Sequence, residues 1–213
     1  MTSKSEKLLA LLRGQPVIPV LKIKNAADAV PLARALAAGG LRMIEITLRT
    51  RDALEAIRRV AGEVEDCIVG AGTVLNPKQF EEAAAAGSKF IVSPGVTASL
   101  ISAQGASEVP LLPGAITPGE IMTALEAGID FLKFFPAEQA GGTTFLRSLA
   151  SPLAAARFCP TGGISALNAE EYLAVPNVVC VGGSWVAPDE MVREGKWEII
   201  ESLARQASAL KPI

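Results

Sequence analysis

Short runs rich in β-branched and aliphatic residues recur along the chain, separated by longer stretches whose apolar residues fall at helical spacing. The runs are 17–23 (VIPVLKI), 43–48 (MIEITL), 67–74 (CIVGAGTV), 89–95 (KFIVSPG), 110–116 (PLLPGAI), 131–137 (FLKFFPA), 157–163 (RFCPTGG) and 178–184 (VVCVGGS). Their starts lie roughly 20 to 26 residues apart, the length of one strand, one helix and two loops. The intervening stretches, such as AADAVPLARALAAGG and PKQFEEAAAAG, mostly end in Gly, as helix C-termini do. The pattern is a βα unit repeated eight times, preceded by a helix at SEKLLALLRG (5–14). It predicts a (β/α)8 TIM barrel with an extra N-terminal helix, and fits an open doubly wound sheet less well. No linker or low-complexity segment interrupts it, so residues 1–213 are expected to form one domain.

Alternation along the predicted strands separates the barrel interior from the helix-facing side. In the second run Ile44, Ile46 and Leu48 share one face, and Met43, Glu45, Thr47 and Arg49 share the other. The apolar set must meet the helices, which turns Glu45 and Arg49 inward. In the sixth run Phe131, Lys133 and Phe135 face inward and Leu132 and Phe134 outward. A barrel interior is ordinarily apolar, with functional groups at the C-terminal ends of the strands, so these charges suggest a site there. A structural ion pair of Lys133 with Glu45, a pairing of Glu45 and Arg49 only with each other, or a lysine snorkelling to the rim would also accommodate them. Lys22 is the one rival to Lys133; Lys24, Lys89 and the remaining lysines sit at strand ends, in helical stretches or near the termini.

Composition removes several classes of function. The chain has no histidine, which excludes a Ser-His-Asp hydrolase and a histidine-ligated metal enzyme. Proton transfer falls to Glu, Asp, Lys, Tyr or Cys. Twenty basic against twenty-two acidic residues, with no basic run, argue against nucleic acid as a partner. The cysteines Cys67, Cys159 and Cys180 are widely spaced among apolar neighbours and are expected to be buried, reduced thiols. MTSKSEKLLALLRGQ lacks an apolar core and a cleavage site, and no run of about 18 apolar residues occurs. The expectation is a cytoplasmic protein with no export signal and no membrane span.

An inward lysine has a specific chemical use. At a reference pKa of about 10.4, a free lysine is neutral in only about one molecule in 2,500 at pH 7. Burial in an apolar pocket makes an amine easier to deprotonate, and a neighbouring carboxylate opposes this. The neutral amine attacks a ketone to form an imine, which draws electrons from the adjacent carbon-carbon bond and lets it break. A second anchor is the pair of glycine-rich turns TGGIS (161–165) and GGS (182–184), after the seventh and eighth runs, where TIM barrels commonly hold phosphate on backbone N–H groups. GAGT (70–73) lacks the G-x-G-x-x-G spacing of a dinucleotide fingerprint; its Thr73 is instead expected to offer a hydroxyl to the site.

With EITLRT, GAGTVLNP, SPG, KFFPAE, CPTGGI and GGSW in this order, essentially the whole chain resembles the 2-keto-3-deoxy-6-phosphogluconate (KDPG) and 4-hydroxy-2-oxoglutarate (KHG) aldolases. The resemblance implies a class I aldolase that splits the phosphorylated six-carbon keto acid into pyruvate and glyceraldehyde 3-phosphate in the Entner-Doudoroff pathway. It implies Lys133 as the Schiff-base lysine, Glu45 as general acid/base and Arg49 as carboxylate anchor. Thr73, Pro94 and Phe135 match residues lining the family's substrate site, and Thr161, Gly162, Gly163 and Ser184 its hydroxyl and phosphate contacts. It further implies a homotrimer without cofactor or metal, since the iminium takes the place of a Lewis acid. In one departure, GQPVIPV lacks an arginine that some members place before the first strand to reach the phosphate, leaving that contact to backbone donors. The alternatives are an aldolase for the galactonate-derived epimer and a metal-free sugar-phosphate isomerase or epimerase of the same fold.

Overall fold

The computed structural model describes residues 3–211. Within them eight parallel strands follow one another at the predicted positions: β1 (Val17–Leu21), β2 (Met43–Thr47), β3 (Ile68–Gly72), β4 (Ile91–Val92), β5 (Leu111–Leu112), β6 (Phe131–Phe134), β7 (Arg157–Pro160) and β8 (Val181–Gly183). Among the described residues ten α-helices flank them: α1 (Lys4–Leu12), α2 (Ala29–Ala38), α3 (Ala53–Glu63), α4 (Pro77–Ala85), α5 (Ala98–Gly105), α6 (Pro118–Glu126), α7 (Gly142–Ala150), α8 (Ala169–Leu173), α9 (Asp189–Arg193) and α10 (Trp197–Ser208). Several start where the sequence supplies a cap. Asn76 and Thr97 accept from the N–H of Gln79 and Leu100, and Thr117 and Glu120 form a reciprocal capping box.

The strands do not form the single eight-stranded ladder that the repeat predicts. Six of them pair in the order β5-β4-β3-β2-β1-β8, and β6-β7 form a separate pair. β4 and β5 have only two residues each, because Pro94 follows one closely and Pro110 and Pro113 bracket the other, removing ladder donors. Single bridges continue the pairing where ladders stop: Gly114 with Lys133, Phe158 with Val178 and Thr161 with Gly182. At the first of these, Lys133 N donates to Pro113 O at 2.8 Å and Ala115 N to Lys133 O at 2.9 Å. The established architecture is therefore an α/β fold with a curved parallel sheet and a two-stranded companion.

The alternation read from the sequence holds in the packing. Ile44, Ile46, Leu132 and Phe134 belong to a large apolar cluster shared with helix residues such as Leu36, Ile57, Phe80 and Leu146. Met43, Phe131, Ile18, Phe90, Val92, Leu112, Cys159 and Cys180 form a second cluster between the strands, closed at their N-terminal end by Leu8 and Leu12 of α1. Buried Gln15 ties α1 to the strands. Its Oε1 accepts from the N–H of Arg42 and Met43 at 2.7 and 2.9 Å, and its Nε2 donates to the carbonyls of Val17 and Met43 at 2.6 and 2.8 Å. With this end plugged by apolar side chains, open space between the strands lies at their C-terminal ends. No helix among the described residues is long and apolar enough to cross a membrane.

Candidate active site

Lys133 sits on β6 between Leu132 and Phe134, whose side chains are fully buried on the helix side, so the strand pleat turns its amine inward. Glu45 reaches the same point from β2. Lys133 Nζ lies 3.3 Å from Glu45 Oε1 and 3.5 Å from Oε2, and the two residues are only 6% and 3% exposed. A contact this close lets a proton pass directly between amine and carboxylate. The lysine amine also lies 5.4 Å from the centroid of the Phe135 ring, which covers it on one side.

Gly72 makes room for this carboxylate. A Cβ there would fall 1.9 Å from Glu45 Oε1, so any other residue would displace the acid. Immediately after it, Thr73 adopts φ +58°, an unusual conformation for a β-branched residue. Such strain persists only where its surroundings enforce it, and it collects at functional sites. On β3 and its exit, backbone shape thus serves the placement of two site residues.

Above the Lys133–Glu45 pair opens a cavity of about 160 Å³ lined by Val20, Glu45, Thr47, Arg49, Thr73, Pro94, Lys133, Phe135 and Thr161. Seven of the expected site residues therefore meet in one place. Gly162 and Gly163 continue the chain from Thr161, with φ of +101° and +78°. Ser184 follows β8, which bridges to Thr161 through Gly182. Gly182 allows that approach, since a Cβ on it would lie 2.3 Å from Thr161 Oγ1. Among the described residues, the backbone N–H groups of Gly162, Gly163 and Ser184 have no acceptor, leaving donors for an anion at the rim.

Two lining residues were not singled out as site residues from sequence. Val20 gave no signal beyond membership of an apolar run. Thr47 was legible through its alternation with Glu45. Its hydroxyl donates to Leu21 O at 2.8 Å and accepts from Arg49 Nε at 3.1 Å, holding the root of the guanidinium. Among the described residues Arg49 has no carboxylate partner. The alternative in which Glu45 and Arg49 pair only with each other is thereby excluded, and the planar fork of Arg49 remains open to a carboxylate ligand.

The rival lysines are elsewhere. Lys22 is exposed, Lys24 is exposed and paired with Asp189 at 2.7 Å, and Lys89 is exposed at the start of the fourth predicted strand. The three cysteines are free; Cys159 and Cys180 are buried, whereas Cys67 is only half-buried by exposed surface, contrary to expectation, because it lies in the turn before β3. Burial pushes the Cys67 thiol up to about 12, and burial followed by the neighbouring Cys159 raises that of Cys180, so neither resembles an activated nucleophile. A larger depression of about 370 Å³ lies at the opposite end of the strands, beside Arg13, Gln15, Arg42 and Asp66, and receives no lysine.

Known proteins resemble this chain along most of its length. The family described as KDPG and KHG aldolase matches residues 8–203. The 2-dehydro-3-deoxy-phosphogluconate aldolase of Dickeya dadantii is 49% identical over 199 residues, 93% of each chain. A Legionella pneumophila KDPG aldolase, with pyruvate captured as a covalent carbinolamine intermediate, superposes with a TM-score of 0.92 at 44% identity, covering 98% of this chain and 99% of that one. The 2-keto-3-deoxy-6-phosphogluconate aldolase of Zymomonas mobilis ZM4 with 3-phosphoglycerate superposes with a TM-score of 0.91 at 48% identity, covering 97% of each.

Proposed function

Because the chain belongs to the KDPG and KHG aldolase family and is a carbon-carbon lyase of the Schiff-base class, we propose that Lys133 is the imine-forming residue, Glu45 its proton carrier and Arg49 the anchor of the substrate carboxylate. The substrate is 2-keto-3-deoxy-6-phosphogluconate and the products are pyruvate and glyceraldehyde 3-phosphate. The observation that carries the residue assignment is the 3.3 Å contact of Lys133 with Glu45 at the floor of a cavity that Arg49 also lines.

Each step follows from this arrangement. Arg49 receives the C1 carboxylate as a bidentate fork and sets the adjacent C2 carbonyl over Lys133. Glu45 takes a proton from the lysine ammonium, and the neutral amine adds to C2 to give a carbinolamine. Return of protons from Glu45 expels water and leaves an iminium. Glu45 then removes the proton of the C4 hydroxyl. The C3–C4 electron pair flows into the iminium, releasing the aldehyde and leaving an enamine on Lys133. Protonation at C3 by Glu45 and hydrolysis of the imine release pyruvate and free the lysine.

The remaining residues serve orientation. Thr73, Pro94 and Phe135 shape the wall around the keto acid, and Thr161 offers a hydroxyl to those of the substrate. The N–H groups of Gly162, Gly163 and Ser184 receive the phosphate, the role left to backbone donors in a chain without an arginine before β1. The bridges around Gly114, Phe158 and Thr161 support closure of both sheets into one eight-stranded barrel formed by a single domain. A homotrimer in the cytoplasm rests on the family resemblance, and sedimentation would test the assembly.

Pyruvate release measured side by side on the gluconate-derived substrate, its galactonate-derived epimer and unphosphorylated 4-hydroxy-2-oxoglutarate tests the reaction. The highest kcat/KM is expected on the first. Preference for the epimer would reassign the substrate, and absence of pyruvate release alongside sugar-phosphate isomerisation or epimerisation would overturn the aldolase reading.

A further inference from the structure

The glycine turn after β7 is braced by residues that do not line the cavity. Glu138 N donates to Gly162 O at 3.2 Å, and a Cβ on Gly163 would fall 2.4 Å from Glu138 Cγ, so the glutamate stem lies against the turn. Asn168 grips the turn from another side. Its Nδ2 donates to Gly163 O at 3.1 Å and its Oδ1 accepts from Ser165 N at 2.8 Å. Both contacts spend carbonyls or side-chain oxygens and leave the Gly162 and Gly163 N–H groups free.

A carboxylate in this position is a hazard. It is an anion and a strong acceptor, and its stem touches a turn whose N–H donors are read as a phosphate site. The structure shows what restrains it. Tyr172, buried on α8, donates its hydroxyl to Glu138 Oε1. Burial and then this bond to Glu138 hold the phenol above its usual range, so it remains a donor at any pH at which the protein works.

Resting on the assignment of that turn to phosphate, we propose that Tyr172 and Glu138 form a latch that holds the carboxylate off the turn and thereby sets the preference for phosphorylated over unphosphorylated substrate. Both are positioning residues. With the hydroxyl removed, the Glu138 carboxylate is free to rotate toward the Gly162 and Gly163 donors, where it competes with the phosphate and repels it. An unphosphorylated keto acid does not use those donors and is indifferent to the latch.

The experiment compares wild type, Tyr172→Phe and the double variant Tyr172→Phe/Glu138→Gln on the phosphorylated substrate and on 4-hydroxy-2-oxoglutarate, with inorganic phosphate as inhibitor. Tyr172→Phe should raise KM for the phosphorylated substrate about tenfold, the scale of one lost contact to a charged group, and weaken phosphate inhibition in parallel. Its kinetics on 4-hydroxy-2-oxoglutarate should stay at the wild-type level. The double variant, whose amide carries no charge, should recover most of the lost affinity. Equal losses on both substrates, an unchanged KM, or a double variant as impaired as the single one would overturn the latch. Wild type that neither prefers the phosphorylated substrate nor is inhibited by phosphate would overturn the phosphate turn itself, and the latch with it.

Discussion

Glu45 and Lys133 stand 88 positions apart in sequence, yet their charged groups lie 3.3 Å apart between the strands, both almost without access to solvent. A buried ion pair is a poor source of stability, because desolvation of both charges opposes their attraction. Here the pair borders a cavity into which the Arg49 guanidinium also opens, without a carboxylate partner of its own. An arrangement that adds little to stability but brings amine, carboxylate and guanidinium together fits the proposed imine chemistry of a keto acid.

Glu45→Gln keeps the shape of the side chain and removes its proton chemistry. It is expected to lower kcat by about 10² to 10⁴, with a much smaller change in KM, since the proposed carboxylate anchor Arg49 is left in place. Exchange of the pyruvate methyl protons with D2O, followed by NMR, should slow as well, because it needs a base at the enamine carbon and no aldehyde. Exchange and cleavage both within a few fold of wild type would reduce Glu45 to an ion-pair partner of Lys133.

Gly72→Ala tests the same carboxylate from the backbone side. The added methyl group would occupy the place of Glu45 Oε1, and the cheapest response is rotation of the acid away from Lys133. A fall in kcat of about 10- to 100-fold is expected, smaller than for Glu45→Gln because the displaced acid still exchanges protons through water. Thermal unfolding should show a folded variant. Wild-type kcat in that variant would contradict the assigned position of the acid.

Gly163→Val probes the proposed phosphate turn. With φ at +78° and Glu138 against its Cα, the position resists a branched side chain, so the turn must move and its donors with it. KM for the phosphorylated substrate should rise about 10- to 100-fold, the loss of one hydrogen bond to a charged group, while imine formation with pyruvate is spared. Equal losses on phosphorylated and unphosphorylated substrates would argue against a phosphate role.

Much of this site was legible before the fold, for a physical reason. A strand alternates its faces strictly, so a charge between two outward apolar residues must point inward, and Glu45 between Ile44 and Ile46 and Lys133 between Leu132 and Phe134 satisfied that condition, whereas Arg49, between Leu48 and Thr50, lies in the turn after β2 and reaches the cavity from there. Thr47 satisfied it too, but its part in holding Arg49 depends on a side-chain bond that no pattern encodes. The contraction of β4 and β5 was less visible: their apolar runs promised longer strands, and the prolines beside them cut the ladders. Tyr172 carried no signal in the sequence, because its bond to Glu138 joins residues 34 positions apart. Gly72 was legible only as a member of the third strand, whereas it also makes space for an acid arriving from the neighbouring strand.

The identity of the imine-forming lysine is tested most directly by borohydride trapping. Incubation of the protein with pyruvate and borohydride should reduce the imine to a stable secondary amine, and peptide mass mapping should place one carboxyethyl group on Lys133 alone. In Lys133→Ala the adduct should vanish together with aldol cleavage. An adduct on Lys22 in the native protein, or one that persists in Lys133→Ala, would contradict the assignment of Lys133 as the nucleophile.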